Sequence, residues 1–432
     1  MDSRALVIGE PKTLVRAGLD LGAEVHWVQR PGEPPLDDVT GAQHVLRIDY
    51  RDHTFVDVIA EMHRSRPFDA VVAISEDALL PCAAINSRLG LRGSSLRTAR
   101  LLTDKWSMRQ HLSEFGVSPV RAALGRNLSD LSDFGTSNGY PFIAKPVAGT
   151  GSYGVALVSS ESAARSANAR FRSVGSPAFL MEEYLDGSEV SVETFSFDGR
   201  HVTLTVTDKL VGRNFIEVGH CVPTQLGPEQ VMAVTGAVGQ FLDAVGLRDG
   251  PSHVEVKLTS AGPRIVEGHS RRGGDRINDL VALALDVDME GLTVAWALDR
   301  IEPLTEAPTI VGGAAIRFIA AEPGRVLAVH GVEQAKGCHG VLEVQLAFGE
   351  GDRIGPLHWS LNRPGYVIAR GRDGRDAAAV ADRAASMVHF VMEAGLDVRS
   401  AFQADLALSH QLDQSRRLGY DLSSPTRADR SR

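Results

Sequence analysis

The sequence of 432 residues has few cysteines, no long apolar run and no excess of positive charge. Its three cysteines, Cys82, Cys221 and Cys338, lie far apart and form no CxxC pair, so neither a zinc site nor a disulfide framework is indicated. No segment approaches the roughly 18 apolar residues of a membrane span, and the N-terminal apolar run is too short for a signal peptide. We therefore predict a cytoplasmic protein whose thiols are reduced.

The balance of charge excludes further classes of protein. Acidic residues outnumber basic ones by 54 to 45, which gives a net charge of -9 and argues against nonspecific binding to nucleic acid or to an anionic membrane. Hydrophobic residues make up 43% of the chain and charged residues 23%, as in ordinary soluble globular proteins. A chain of 432 residues is too long for one core, so about two to four domains are expected.

The densest group of polar residues lies in the stretch 253–274. Alternation of polar and apolar residues predicts two strands, joined by the turn residues Thr-Ser-Ala-Gly-Pro. If Leu258 pairs with Arg264 across this loop, Glu255 lies opposite Glu267. Two facing carboxylates repel each other, and a divalent cation would reverse that effect, because Mg²⁺ favours carboxylate and phosphate oxygens. The alternative is a solvated hairpin whose charges face water.

The residues that follow this hairpin favour the metal interpretation. The same register places His253 opposite His269, and the sequence continues with Arg271, Arg272 and two glycines. Glycines allow a backbone to approach a ligand closely, and a guanidinium fork matches the geometry of a carboxylate or phosphate. We interpret the whole stretch as a site for a metal ion and an anion.

The first hundred residues predict a parallel α/β domain. Residues 5–28 read as a strand, a helix and a second strand, the βαβ opening of a parallel sheet. A later strand, 70–74, ends in Ser75-Glu76-Asp77, at the edge where open α/β sheets bind ligands. Ser75 and Asp77 are equally suited to cap the following helix, which is the commoner role of such residues.

A lysine opens the next predicted helix, over residues 101–115, which has Thr103 or Asp104 as its N-cap. Lys105 lies in the first turn of this helix, where a positive charge is disfavoured by the helix dipole. A bound anion would explain that position, and simple exposure to solvent is the alternative.

A second lysine, Lys145, precedes a glycine-rich loop, Gly149–Gly154, with the spacing GxGxxG. The dinucleotide-binding fingerprint requires a helix directly after the loop, whereas residues 155–158 continue as a strand and helical pattern begins near Ser160. The loop also lacks the Gly-Lys-Ser/Thr of a P-loop. We predict a flexible hairpin whose backbone amides can close over phosphates.

The stretch 179–195 predicts two strands joined by a glycine-containing turn. Leu180, Tyr184 and Leu185 could form an apolar slot, with Glu182 near an adenine amino group and Glu189 near a ribose hydroxyl. Carboxylates on the surface of a hairpin are the alternative interpretation.

Taken in order, these motifs resemble the ATP-grasp superfamily, and most closely its carboxylate–amine ligase branch, which includes the L-amino-acid ligases that form dipeptides. The resemblance rests on Lys105, on Lys145 with GTGSYGV, and on MEEYLDGSE, the HVE strand and EGHSRRGG. It implies a mixed α/β architecture of three domains. Their expected ranges are 1–103 for an N-terminal α/β domain, 104–300 for the ATP-grasp domain, 301–410 for a C-terminal domain with a small sheet, and 411–432 for a mobile tail.

The resemblance also implies the ligands, ATP and Mg²⁺, with Mn²⁺ as a substitute. Lys105 and Lys145 would hold phosphates under the glycine flap, which contains Gly149, Gly151, Ser152 and Gly154. Glu182, Glu183 and Leu185 would contact adenine, and Glu189 the ribose. Glu255 and Glu267 would bind the metal. His269 stands where the superfamily usually has a metal-ligating asparagine, and imidazole is a poorer ligand for Mg²⁺, so a water or phosphate oxygen is the alternative third ligand.

The implied reaction is amide formation through an acyl phosphate, with release of ADP and phosphate. Arg271 would neutralise charge on the transferring group and on the tetrahedral oxyanion. Lys209 is a further candidate phosphate contact. Glu217 and His220 could meet an ammonium group or take its proton, and the alternative for His220 is a purely structural role.

The expected partners are a small carboxylic acid and an amine, both of them amino acids, and a homodimer is expected. Two other functions stay open at this point. One is a carboxylase-like enzyme that activates bicarbonate, and the other is an ATP-binding regulatory module without turnover.

Overall fold

The structure is a computed structural model that describes residues 3–9, 12–32, 42, 44–147, 151–173, 175–176, 178–212, 215–357 and 359–393. Gly149 and the predicted tail, 411–432, lie outside the described residues. None of the helices within the described ranges has the length and apolar character needed to cross a membrane.

The N-terminal part is a four-stranded parallel sheet in the order β3-β2-β1-β4. Its elements are β1 (Arg4–Ile8), α1 (Lys12–Asp20), β2 (Glu24–Gln29), β3 (His44–Arg47), α2 (Phe55–Ser65), β4 (Ala70–Val72), α3 (Leu79–Leu89) and α4 (Leu96–Thr103). The central strand β1 is buried along its whole length, because helices cover a parallel sheet on both faces. The predicted βαβ opening is confirmed.

A four-stranded antiparallel sheet carries the glycine loop. Its elements are α5 (Lys105–Glu114), β5 (Ala122–Gly125), α6 (Leu128–Asn138), β6 (Phe142–Pro146), β7 (Ala156–Val158), α7 (Glu161–Ser173) and β8 (Phe179–Glu183), with the strand order β5-β8-β6-β7. The loop joins β6 to β7, which pair antiparallel, so the predicted strand–loop–strand unit is confirmed. Asp104 caps α5 by accepting a hydrogen bond from the backbone N of Ser107 at 2.6 Å, as predicted.

The remaining elements are the strands of an eight-stranded antiparallel sheet, those of a small three-stranded sheet, and the helices α8 to α12. They are β9 (Ser188–Phe197), β10 (Arg200–Val211), β11 (Glu217–Val222), α8 (Pro228–Val245), β12 (Gly250–Thr259), β13 (Gly262–His269), α9 (Ile277–Leu285), α10 (Met289–Ala297), β14 (Gly313–Ile319), β15 (Gly324–His330), α11 (Val332–Lys336), β16 (Val341–Leu346), β17 (Arg353–Ile354), β18 (Gly365–Gly371), α12 (Gly374–Ala385) and β19 (His389–Met392). The large sheet has the order β13-β12-β9-β10-β11-β14-β18-β16, and the small one β17-β15-β19.

The two strands predicted on either side of the turn at Gly187 are present as β8 and β9, but they do not pair with each other as in the hairpin of the alternative interpretation. β8 belongs to the glycine-loop sheet and β9 to the large sheet, so the turn crosses from one sheet to the other. Gly187 has a φ of 112°, and a Cβ atom there would lie 2.0 Å from the carbonyl oxygen of Leu258. A side chain at this crossing is therefore sterically excluded.

The C-terminal strands also differ from the prediction. β14, β18 and β16 extend the large sheet, so the small sheet expected in the C-terminal domain consists of β17, β15 and β19. The last described helix, α12, ends at Ala385, and β19 follows it. Periodicity identifies a strand but does not reveal which sheet it joins, because pairing partners are distant in sequence.

Candidate active site

A cleft of about 890 Å³ lies between the glycine-loop sheet and the large sheet. Residues from each predicted motif line it, namely Lys105, Lys145, Gly151, Ser152, Glu182, Glu183, Leu185, Glu189, Glu217, Glu255 and Glu267. Five other predicted residues are described but do not belong to its lining: Gly154, Lys209, His220, His269 and Arg271. The motifs thus converge on one cavity although they are spread over more than 160 residues of sequence.

The turn of the β12–β13 hairpin differs from the predicted one. Thr259 pairs with Gly262, so the turn has two residues, and Leu258 lies opposite Pro263 rather than Arg264. The five-residue loop predicted from the sequence is therefore wrong.

A β-bulge restores the predicted pairing at the other end of this hairpin. A register shift follows Glu255, which leaves Val266 as the extra residue. Beyond the bulge, Glu255 lies opposite Glu267 and His253 opposite His269. Both glutamates face the cleft, so the carboxylate pair is present as predicted.

Lys209 lies at the centre of three carboxylates of the large sheet. Its Nζ atom is 2.8 Å from Glu189 and 3.3 Å from Glu217, and it also pairs with Glu255. Burial opposes the charge of Lys209, but the three carboxylates outweigh burial and raise its pKa well above the usual value. Burial raises the pKa of the Glu217 carboxyl, against the opposing influence of Lys209.

The pKa values of the two facing glutamates are both lowered. Burial alone would raise the pKa of Glu255, but Lys209 and a hydrogen bond from His253 lower it to about 2. Burial likewise opposes ionisation of Glu267, yet Lys105, 3.0 Å from Glu267 Oε2, lowers its pKa well below the usual value. Each carboxylate is thus held by a lysine.

Lys145 is held by Glu182, which lies on the neighbouring strand β8 of the glycine-loop sheet. The Lys145 Nζ atom lies 2.6 Å from Glu182 Oε2, and Arg109 pairs with the other carboxylate oxygen. Burial opposes ionisation of Glu182, but Arg109 and Lys145 lower its pKa to about 2. Arg109 also donates to the bulge carbonyl of Val266 at 2.8 Å. Sequence reasoning had not assigned a role to Arg109.

The described part of the glycine loop has left-handed backbone. Gly151 and Gly154 have φ values of 66° and 80°, and Ser152 has 58°. Ser152 Oγ donates to the carbonyl oxygen of Phe215, in the connection between β10 and β11, at 2.7 Å. The loop is therefore fastened to the large sheet across the cleft.

The glycine loop also contacts the segment between β17 and β18. The backbone N of Ser360 donates to the carbonyl oxygen of Gly151 at 3.3 Å. The rings of Tyr153 and Trp359 meet edge to face, with centroids 5.5 Å apart. Residues of the C-terminal part of the chain thus help to hold the loop over the cleft.

Arg271 is fixed by Glu76, which lies in the segment that follows β4 of the N-terminal sheet. Glu76 Oε2 accepts a hydrogen bond from Arg271 Nε at 2.6 Å and lies 3.3 Å from His269 Nδ1. His269 Nε2 is 3.3 Å from Glu267 Oε1. Burial opposes ionisation of Glu76, but His269 and Arg271 lower its pKa to about 2. A chain of contacts thus leads from the segment after β4 to the β12–β13 hairpin, which carries the predicted metal ligands and is called the metal hairpin below.

Glu76 lies in a segment that the sequence had singled out, but its neighbours do not cap the next helix. Ser75 makes no side-chain capping hydrogen bond, and Asp77 accepts from the hydroxyl of Tyr50 at 2.9 Å. The position of the segment, at the carboxyl end of β4, was the signal that could have identified Glu76.

His220 lies in a cluster beside the cleft. Its Nε2 atom is 3.3 Å from Asp275 Oδ2, and Arg363 donates to both oxygens of Asp275, at 2.7 and 2.5 Å. Arg363 also donates to the carbonyl oxygen of Glu217 at 3.2 Å. The cluster joins the loop after Arg271 to β11, and sequence reasoning had assigned neither Asp275 nor Arg363.

Glu255 and Glu267 are the two carboxylates of the cleft lining that could hold a metal ion. Within the described ranges, one group of three acidic or histidine side chains has its ligand atoms within 4.8 Å of one another, Glu24 with His26 and His44. Arg4 and Arg66 already pair with Glu24, which disfavours a cation there. The ligand atoms of Glu255, Glu267 and His269 do not all lie within that distance of one another. Two carboxylates still suit Mg²⁺, which completes its shell with water and phosphate oxygens.

Three family models match the chain. They are an ATP-grasp N-terminal domain over residues 15–93, an ATP-grasp domain over 138–279 and an L-amino acid ligase C-terminal domain 2 over 317–393. The second match spans most of the glycine-loop sheet and the strands β9 to β13, and the third includes β15 to β19.

Among curated proteins, the chain is similar to alanine–anticapsin ligase of Bacillus subtilis (strain 168). The two are 26% identical over 292 residues, which cover 62% of this chain and 58% of that protein. Carnosine synthase 1 of Gallus gallus is 29% identical over 348 residues, which cover 74% of this chain and 37% of that protein. The chain therefore spans less than two thirds of the length of either relative.

Among solved structures, the L-amino acid ligase from Bacillus licheniformis has the same fold. Its TM-score is 0.77 at 22% sequence identity, and the match covers 91% of this chain and 100% of that one. At this identity the likeness concerns the fold.

Proposed function

We propose that this chain, which belongs to the ATP-grasp superfamily and carries the C-terminal domain of L-amino acid ligases, joins the carboxyl group of one amino acid to the amine of another at the expense of ATP. The resemblance drawn from the motifs is confirmed by these domains. The observation that carries the proposal is the cleft, in which Glu255 and Glu267 face Lys105 and Lys145 beside the glycine loop.

ATP binds between the glycine loop and the large sheet. Lys105 and Lys145 contact its phosphates, and Glu182 keeps Lys145 in place from the side of β8. The side chain of Glu183 is held by Arg121 at 2.9 Å, so the adenine contacts of this segment come from its backbone and from Leu185. Glu189 binds a ribose hydroxyl.

Glu255 and Glu267 are the residues that would hold a Mg²⁺ ion, for which Mn²⁺ could substitute. When bound, the cation neutralises charge on the phosphates during transfer. When ATP binds, the ammonium group of Lys105 leaves Glu267 and contacts the phosphates instead. A flexible lysine side chain can make this change without losing its charge. His269 remains a donor to Glu267 and is not itself a ligand.

The substrate carboxylate attacks the γ-phosphorus of ATP and yields an acyl phosphate and ADP. An amine then attacks the carbonyl carbon, phosphate leaves and an amide remains. Arg271, fixed by Glu76, stabilises the negative charge on the acyl oxygen. Glu217 accepts the proton of the attacking amine, because it lines the cleft and burial raises its pKa. His220 does not line the cleft, and it acts indirectly, through its contact with Asp275.

The two alternative functions are not favoured. The matched C-terminal domain is that of L-amino acid ligases, which argues against a carboxylase. The two glutamates and the arginine of the metal hairpin argue against an ATP-binding module without turnover. The expected homodimer stays a prediction.

The test is an ADP-release screen of the purified chain with pairs of L-amino acids. A pair that yields equal amounts of ADP, phosphate and a product of dipeptide mass supports the proposal. Formation of AMP and pyrophosphate would exclude the acyl-phosphate route. Bicarbonate-dependent ADP release without an amine would instead support a carboxylase.

A further inference from the structure

A fully buried carboxylate lies on β9, the strand that pairs with β12 of the metal hairpin. The reaction proposed above does not use it. Glu193, in β9, is 0% exposed. Its cross-strand neighbour is His253, in β12, whose Nδ1 atom lies 2.9 and 3.0 Å from the two oxygens of Glu193. Burying a carboxylate is costly unless it is paired and hydrogen-bonded, so this pair is a specific feature of the sheet.

The orientation of Glu193 is fixed by neighbours on two strands. Ser191 Oγ donates to Glu193 Oε1 at 2.8 Å, and Thr207 Oγ1, in β10, donates to the same oxygen at 3.5 Å. A Cβ atom on Gly273, in the loop after Arg271, would lie 3.1 Å from His253 Nδ1. The imidazole is therefore enclosed between the carboxylate of Glu193 and the loop that follows the metal hairpin.

The contact chain continues from the imidazole to a proposed metal ligand. His253 Nε2 lies 3.4 Å from Glu255 Oε1. Lys209 pairs with this same oxygen. Because both contacts fall on Oε1, Oε2 is the oxygen that can turn towards a cation.

We propose that Glu193 and His253 are positioning residues for the metal ligand Glu255. Glu193 fixes the ring of His253, and the ring fixes the rotation of the Glu255 carboxylate. Carboxylates that bind metals are commonly held by such hydrogen bonds, and loss of the outer partner weakens metal binding about 10- to 100-fold. The inference rests on the proposed function only in assigning a divalent cation to Glu255 and Glu267.

The experiment measures Mn²⁺ binding to the full chain in the presence of the non-hydrolysable analogue AMP-PNP, by electron paramagnetic resonance. For Glu193→Gln and His253→Gln we expect the dissociation constant of Mn²⁺ to rise about 10- to 100-fold. Binding of AMP-PNP in EDTA, followed by calorimetry, should stay within about twofold of wild type. The double variant should lose no more than His253→Gln alone, because Glu193 acts through the ring.

Ser252→Ala is the matched control, because it removes a buried hydrogen bond to Thr194 across the same two strands. It should leave Mn²⁺ binding unchanged. Should Glu193→Gln not fold, Ser191→Ala carries the test, with an expected rise of about two- to fivefold for the loss of one hydrogen bond.

A folded Glu193→Gln variant with wild-type affinity for Mn²⁺ would overturn the inference. So would a variant that loses AMP-PNP binding equally in EDTA, because the effect would then not concern the metal. If the wild type binds Mn²⁺ with AMP-PNP but releases no ADP with any amino-acid pair, the proposed ligase activity fails and the positioning role stands.

Discussion

The two halves of the proposed active site, a nucleotide half around Lys105 and Lys145 and a substrate half around Arg271 and Arg363, differ in their positively charged side chains and in what holds them. In the nucleotide half, Lys105 and Lys145 pair with carboxylates of the cleft wall. In the substrate half, Arg271 and Arg363 are each fixed by a carboxylate from another part of the chain. A lysine is a flexible point charge that can change partners, whereas an arginine is a planar fork whose geometry is set in advance. We infer that the lysines change partners when the phosphates bind, whereas the arginines are already oriented before substrate binds.

The largest effect should come from the carboxylate that links the two halves, Glu267, which contacts both Lys105 and His269. Glu267→Gln removes a charged metal ligand and should lower kcat about a thousandfold or more. ADP release with a reactive amino-acid pair is the measurement. Glu61→Gln, on the exposed face of α2, should behave as wild type, and near-normal turnover of Glu267→Gln would refute the metal assignment.

The second prediction concerns pH and the buried pairing in the nucleotide half. The pKa of Glu182 is lowered to about 2 in the folded chain, so its pairing stabilises the fold fully above the ordinary pKa of about 4.5. This contribution, on the order of 3 kcal/mol, is lost as the pH falls from about 4.5 towards 2. The measurement is urea unfolding of wild type and Glu182→Gln between pH 7 and 3. The stability difference should shrink on acidification, and a difference independent of pH would contradict the pairing.

Much of the nucleotide half could be predicted from the sequence, because its motifs are local. Lys105, the glycine loop and the facing glutamates each lie in a short stretch whose pattern reveals the strand or helix that carries them. The facing pair was predicted correctly although the predicted turn was wrong. The bulge at Val266 adds one residue to β13 and so cancels the one-residue error in the turn. A pattern of period 2 contains no sign of such a bulge.

The substrate half could not be predicted in the same way, because its contacts join distant segments. Glu76 and Arg271 are 195 positions apart, and Arg363 and Asp275 are 88 apart. Each pair depends on how a whole sheet packs against another, which one sequence without relatives does not specify. The sequence placed Ser75-Glu76-Asp77 at the edge where open α/β sheets bind ligands, but capping was the favoured role there and Glu76 was not singled out.

A third prediction tests whether the arginine geometry matters in the substrate half. Arg271→Lys keeps the charge but loses the fork that Glu76 holds through Nε, so kcat/KM for the acid substrate should fall about 30-fold. KM for ATP should stay within about twofold, because Arg271 does not line the nucleotide cleft. Steady-state kinetics with each substrate varied in turn is the measurement. Equal losses for both substrates would erase the distinction between the two halves.

The smallest effect should come from the contact by which the C-terminal part holds the glycine loop. Edge-to-face ring pairs contribute about 0.5–1.5 kcal/mol, so Trp359→Ala, which removes the ring against Tyr153, should raise KM for ATP about two- to tenfold. The control is Leu361→Ala in the same turn, whose side chain is 45% exposed and should leave KM unchanged. If Trp359→Ala instead lowers kcat with KM for ATP unaltered, the contact serves the substrate half. The C-terminal domain would then connect both halves, since Arg363, four residues further on, already binds the loop that follows Arg271 through Asp275.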